Sequence, residues 1–109
     1  RGRNGNIVNR GGVKVQLEEI EEILSGHKNL KEALAFKIDD AELGESFELA
    51  VVLNEDSEES RREIQDWLAT RVSPQRRPAR WHFMEALPIN GRGKPDRTLL
   101  SARVRSYQG

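Results

Sequence analysis

LKEALAFKIDDAELGESFELAVVL, residues 30–53, is the stretch on which the fold turns. Two apolar runs, Leu30 to Ile38 and Ser46 to Leu53, flank a polar loop that holds Asp39, Asp40, Gly44 and Glu45. Runs of this length, bounded by turn residues, predict two strands side by side. Upstream, Leu17, Ile20, Ile23 and Leu24 fall on one helical face with acids between them. Glu18, Glu19 and Glu21 sit in the early turns, where the positive end of the helix dipole favours them. Gly26 marks a stop. Further back, Ile7 to Arg10 and Val13 to Val15 enclose Gly11-Gly12, a pair that supplies the positive φ angles of a tight hairpin. Residues 1–6 (RGRNGN) lack apolar periodicity and read as a hinge or linker that precedes a domain at residues 7–109.

Downstream, Ser57 is placed to cap a helix from Ser60 to Val72, with Ile64, Trp67, Leu68 and Val72 on one face. Pro74 and Pro78 end it. Arg80 to Met84 reads as a third short strand, Leu87 to Asp96 as a Gly/Pro-rich loop, and Thr98 to about Tyr107 as a last helix. The expected architecture is α+β: a small three-stranded sheet flanked by helices, with a separate N-terminal two-stranded hairpin.

Bulk properties narrow the function. At 109 residues the chain is one domain's worth, too short for a complete multi-substrate enzyme. Lys plus Arg and Asp plus Glu both total 18, so no net charge draws it to nucleic acid or an anionic membrane. Without cysteine, disulfides, thiolate metal sites and cysteine nucleophiles are excluded. No apolar run reaches transmembrane length. The chain begins without Met inside a Gly/Asn-rich stretch, and we expect a piece of a longer cytoplasmic protein.

Two places offer chemistry. In Pro88 to Arg97 (PINGRGKPDR), Lys94 stands between Gly93 and Pro95 on a loop, where a long cationic side chain can reach an anionic group. Read without further context, the same feature describes a solvated turn. In the hairpin, Gly11 and Gly12 let an extended ligand approach the backbone, with Arg10 and Lys14 beside them for phosphate or pantetheine oxygens. A tight hairpin with solvated cations is the plainer account. His27 and His82 lack ligand spacing to other donors, so no metal site is expected. Trp67 and Trp81 suit a core, and the basic run Arg76-Arg77-Pro78-Ala79-Arg80 reads as structural.

GRNGNIVNRGGVKVQLEEIE, residues 2–21, resembles the motif that opens the C-terminal lid domain of adenylate-forming enzymes, through Gly2-Arg3, Gly12, Lys14, Val15 and Glu19-Ile20-Glu21. LPINGRGKPDR, residues 87–97, resembles that superfamily's last motif through Pro88, Gly93, Lys94 and Arg97. The run from His27 through Glu32-Ala33 to Gly44-Glu45 is similar as well. Two end motifs about eighty residues apart, with a matching middle, form a specific signal.

The resemblance implies an ATP-dependent acyl-CoA synthetase acting in fatty-acid metabolism, with an aryl-acid ligase or a peptide-synthetase adenylation domain as alternatives. A binding module that kept the fold without catalysis is a further alternative, and a nucleic-acid-binding domain a more distant one. It implies that Lys94 contacts the acyl carboxylate and α-phosphate during adenylation. It implies that the hairpin of Arg10, Gly11, Gly12 and Lys14 lines the path of the thiol in the second step. ATP with Mg²⁺, the carboxylic acid, and CoA or a carrier protein's phosphopantetheine are then bound chiefly by a larger N-terminal domain, and this domain alone holds none of them. The family's hinge usually carries Asp or Lys where this chain has Gly5 beside Asn4.

Overall fold

A computed structural model describes residues 6–108 of the chain, with side chains to residue 104. Strand β1 (Ile7–Arg10) and strand β2 (Val13–Gln16) form the hairpin, and helix α1 (Leu17–Leu24) follows directly. Strands β3 (Leu30–Asp40) and β4 (Gly44–Leu53) come next, then helix α2 (Glu58–Ala69), strand β5 (Trp81–Phe83) and helix α3 (Arg97–Gln108). The α+β class is as expected. The grouping of strands differs: the hairpin is part of the sheet, which has five strands in the order β2-β1-β4-β3 with β5 also on β4.

Strand β4 is the axis of that sheet. Along one edge it pairs antiparallel with β3, from Leu30↔Leu53 to Asp40↔Gly44. Its other edge is shared: Arg10↔Gly44 joins β1 at one end, and β5 lies parallel at Leu49↔Trp81, Ala50↔His82 and Val51↔Phe83. Eight consecutive residues of β4, Ser46 to Leu53, are buried. A strand covered on both faces carries a continuous apolar run rather than an alternating one.

Alternate residues of that run enter different cores. Phe47, Leu49, Val51 and Leu53 pack with Val8, Val15 and Ala35 under α1 and α2, through Leu17, Ile20, Leu24, Ile64 and Leu68. On the opposite face Ala50 and Val52 join Leu34, Phe36, Leu87 and Leu100 of α3. The molecule is therefore three layers deep: α1 and α2, sheet, α3.

Local chemistry fixes the boundaries. Ser57 accepts from the Ser60 amide at 3.0 Å while Ser60 Oγ accepts from the Ser57 amide at 2.8 Å, a reciprocal cap that starts α2 before the expected Ser60. Arg77 donates to the Ala69 carbonyl at 2.9 Å, occupying an acceptor left open at the helix end. Both tryptophans pack against the first core. Arg71 covers the Trp67 ring at 3.8 Å, and Trp81 stacks on Phe83 with centroids 5.8 Å apart. Gly26 stops α1 without a left-handed cap: Ser25 closes the helix in ordinary helical geometry. A Cβ on Gly26 would lie 3.3 Å from the Ile23 carbonyl and 3.7 Å from the Trp67 ring, so its role is close approach.

Removing the α2 cap with Ser57→Ala is expected to cost about 1 kcal/mol, lowering the melting temperature by roughly 5 °C. Phe47→Ala, which opens a cavity between sheet and helices, should cost about 3–5 kcal/mol. Urea titration followed by tryptophan fluorescence reads both, and equal losses from the two substitutions would contradict the layer assignment.

Candidate functional site

The Lys94 loop is built around one side chain. Asn90 donates its backbone N–H to the Lys94 carbonyl at 2.8 Å, and its own carbonyl accepts from Gly93 at 2.9 Å. The Asn90 side-chain oxygen accepts from the amides of Arg92 at 2.8 Å and Lys94 at 3.2 Å. Such side-chain mimicry of a turn is what asparagine does well. Ile89 pairs with Pro95 across the base, and Gly93 takes a φ of 80° that a residue with a Cβ resists. The Asn90 amide nitrogen donates to Asp96 Oδ2 at 3.3 Å, and Asp96 Oδ1 caps α3 by accepting from Leu99 at 3.0 Å. The Leu99 amide, then Asn90, hold the Asp96 carboxyl below its ordinary pKa.

Lys94 is exposed on this frame, and its ammonium makes no ion pair with the described residues. Arg97, three residues on, behaves oppositely. Its Nη2 donates to both oxygens of Glu21 on α1, at 3.0 and 2.9 Å. Glu21 Oε2 also accepts from the Ala35 amide of β3 at 2.8 Å. Glu18 lies 3.9 Å from Arg97 and accepts from the Asn6 amide side chain at 2.5 Å. Burial raises the Glu21 pKa against the opposing pull of the Ala35 amide and Arg97, with Glu18 adding to the rise.

At the hairpin, Gly11 and Gly12 have φ of 57° and 91°, and Arg10 pairs with Val13 across them. These two positive values are those of a type I′ turn. The glycines face different surroundings. A Cβ on Gly11 would come within 3.1 Å of Leu43, whose carbonyl accepts from the Gly11 amide at 3.2 Å, whereas one on Gly12 would meet nothing within 4 Å. Lys14 is exposed and also lacks an ion pair with the described residues. Arg10 is engaged: its guanidinium donates to the carbonyls of Gln75 and Arg77 and lies 5.9 Å from the Phe47 ring. It fastens the hairpin to the basic loop. Asn4 and Gly5 lie outside the described residues.

Reading the sequence for chemistry singled out Lys94 and overlooked Asn90, although Asn before Gly91 in a turn-rich stretch is a recognisable signal. Glu21 and Arg97 were visible as motif members, but nothing in the sequence shows that they meet. Each histidine is matched to a glutamate: His27 Nε2 to Glu63 at 2.7 Å and His82 Nε2 to Glu48 at 2.7 Å. Asn29 donates to His27 Nδ1 at 3.1 Å, so Nε2 carries the proton towards Glu63. Among the described residues no three His, Asp or Glu side chains converge as a metal site, and no helix is long and apolar enough to cross a membrane. A depression of about 620 Å³ between β5 and α3, walled by His82, Met84, Leu100 and Arg103, contains neither Lys94 nor the hairpin.

Residues 19–94 match the model of the AMP-binding enzyme C-terminal domain. The acyl-CoA synthetase ALT10 of Alternaria alternata is 31% identical over 105 residues, covering 94% of this chain and 19% of its own length. Oxalate–CoA ligase of Saccharomyces cerevisiae is 28% identical over 100 residues, covering 92% of this chain and 18% of its own. The solved structure of a Mycobacterium tuberculosis fatty acyl CoA synthetase superposes with a TM-score of 0.77 at 29% identity, covering 94% of this chain and 20% of that one. The chain thus spans about a fifth of the length of these curated relatives. With residues 19–94 matched by the family model and its fold shared with a synthetase, the chain belongs to the family of AMP-binding enzyme C-terminal domains found in AMP-forming acyl-CoA ligases.

Proposed function

We propose that this domain supplies the adenylation lysine and the thiol-step hairpin of an ATP-dependent acid–thiol ligase. The observation that carries the reading is the contrast between Lys94 and the arginines that the fold engages. Arg10, Arg77 and Arg97 are spent on carbonyls or carboxylates within the fold, whereas Lys94 is held forward on an internally bonded loop with its charge uncompensated. A preorganised cation is worth most where negative charge gathers in a transition state. When a carboxylate attacks the α-phosphate of ATP and displaces pyrophosphate, two anionic groups are brought together and negative charge is concentrated on the phosphoryl oxygens, where one ammonium can reach both groups. The domain provides no general base in this reading, and none is needed.

The second step uses the hairpin. Gly12 opens the backbone to an extended pantetheine arm, and Lys14 stands beside it with a free charge. Arg10 serves this surface indirectly, by fixing the hairpin to the Gln75–Arg77 turn rather than by binding phosphate. CoA is the acceptor this reading favours, because the relatives above carry CoA in their names; a carrier protein's phosphopantetheine presents the same thiol. ATP, Mg²⁺ and the acid are held by a larger N-terminal domain, against which this one rotates between steps about residues 1–6. Asn4 and Gly5 are the hinge in that arrangement, and a cytoplasmic location belongs to it.

In the full-length protein, Lys94→Ala should lower acid-dependent ATP–pyrophosphate exchange by about 10²–10³-fold. Thioester formation from supplied acyl-adenylate should survive. Exchange that persists without Lys94, or is absent across a panel of fatty and aryl acids, would overturn the assignment. Asn90→Ala should raise amide hydrogen exchange at Arg92 and Lys94 roughly tenfold, for about 1.4 kcal/mol of lost local bonding. Protection in β4 should not change.

A further inference from the structure

Lys94 must be delivered to one point in space, yet nothing outside its own loop holds the ammonium. What holds the loop lies further along the chain. Pro95 fixes its own φ near −65° and pairs with Ile89. Asp96 caps α3, and Arg97 opens that helix. The path from Lys94 to Arg97 thus contains one locked residue and one capped one. Wherever the Arg97 guanidinium is anchored, the backbone of Lys94 follows.

The anchor is Glu21, and its bonding tells what it is for. One nitrogen of Arg97 makes both contacts with the carboxylate, while Arg97 Nε has no hydrogen-bond partner. Half of the guanidinium fork is therefore unused, unlike the paired donation that makes arginine–carboxylate contacts strong. Glu21 meanwhile spends Oε2 on the Ala35 amide, so one carboxylate gathers α1, β3 and α3. Glu18 and Arg97 are the charged groups facing it. We propose that Glu21 is a positioning residue for adenylation: by gripping Arg97 against the Ala35 amide, it sets where Lys94 stands. This rests on the adenylation role of Lys94 proposed above, and extends it to a residue on the helix that directly follows the hairpin.

A purely stabilising ion pair would behave differently. Because burial outweighs its bonding partners, folded Glu21 holds its proton more tightly than the unfolded chain does. The stability it contributes is fully present below the unfolded pKa and is lost as pH rises through the raised folded value. At neutral pH the burial of its charge offsets part of what its bonds contribute to folding, and what the pair provides is register, a role attested for buried polar pairs elsewhere. Glu21→Gln separates the two roles. The glutamine oxygen can keep the Ala35 bond, but its amide nitrogen turns a donor towards Arg97 and loosens the grip.

The experiment measures both half-reactions in the full-length enzyme, with melting temperature read alongside. Glu21→Gln should lower kcat/KM for acid-dependent ATP–pyrophosphate exchange by about tenfold or more, as displacement of a catalytic group does. The variant should remain folded at the assay temperature, and acyl transfer from supplied adenylate should stay within about twofold. Arg97→Lys, which keeps a single cationic donor, should retain exchange better than Arg97→Met. Exchange within twofold of wild type in Glu21→Gln, where Lys94→Ala abolishes it, overturns the inference and leaves the lysine assignment standing. Equal losses in both half-reactions that track a loss of folded protein overturn it too, by reducing Glu21 to a structural role. Exchange indifferent to Lys94→Ala removes the assignment itself, and the inference with it.

Discussion

Everything in this fold answers to the burial of β4 on both faces. A strand with Phe47, Leu49, Val51 and Leu53 towards one side and Ala50 and Val52 towards the other requires two separate covers. Helices α1 and α2 supply one and α3 the other. The parallel placement of β5 follows from the same demand, because α2 crosses the first face before the chain returns beside β4. The Lys94 loop between β5 and α3 is therefore bound at both ends to elements that the central strand dictates. Its mechanical stiffness begins in the core.

The charged residues divide by the same geometry. Buried carboxylates are given partners: Glu48 on β4 is hydrogen-bonded to His82 on the adjacent strand β5, and Glu21 on α1 meets Arg97 on α3. A buried carboxylate without such a partner would be prohibitively costly. Where turns project, at Gly11-Gly12 and at Gly93, the neighbouring cations Lys14 and Lys94 are left without partners among the described residues. Arg10, Arg77 and Arg97 use directional donors to satisfy fixed acceptors, and the two lysines keep compact charges on flexible stems.

Much of this was legible in residues 7–108, and the failures are instructive. The bounds of α1, the Gly11-Gly12 turn and the Ser57 cap are set by interactions within a few residues, which periodicity and capping chemistry report directly. The hairpin's place in the sheet was not legible, because it depends on a single pair, Arg10↔Gly44, between residues far apart in sequence. The fate of Arg10 illustrates the same limit. Beside two glycines it reads as a ligand-facing cation, but the turn at Gln75 to Arg77 offers bare carbonyls that only the tertiary fold brings near. Lys94 could be singled out by its flanking Gly93 and Pro95, whereas Glu21 was hidden inside an amphipathic helix that any acidic residue would have suited.

On the proposed reading, a lid that serves two reactions faces opposing demands, since it must move as a body while each working group stays fixed within it. The distribution of bonds here resolves that conflict by scale. Within the Lys94 loop, Asn90 closes short-range contacts to residues 92, 93, 94 and 96, which any rigid rotation carries along unchanged. Between loop and body, Arg97 and Glu21 span 76 residues of sequence with bonds of about 3 Å. Neither set involves a group outside residues 6–108. Motion of the whole domain would thus leave the position of Lys94 relative to the hairpin untouched. A single rigid body can then present one loop or the other according to its orientation, and no internal rearrangement is required of it.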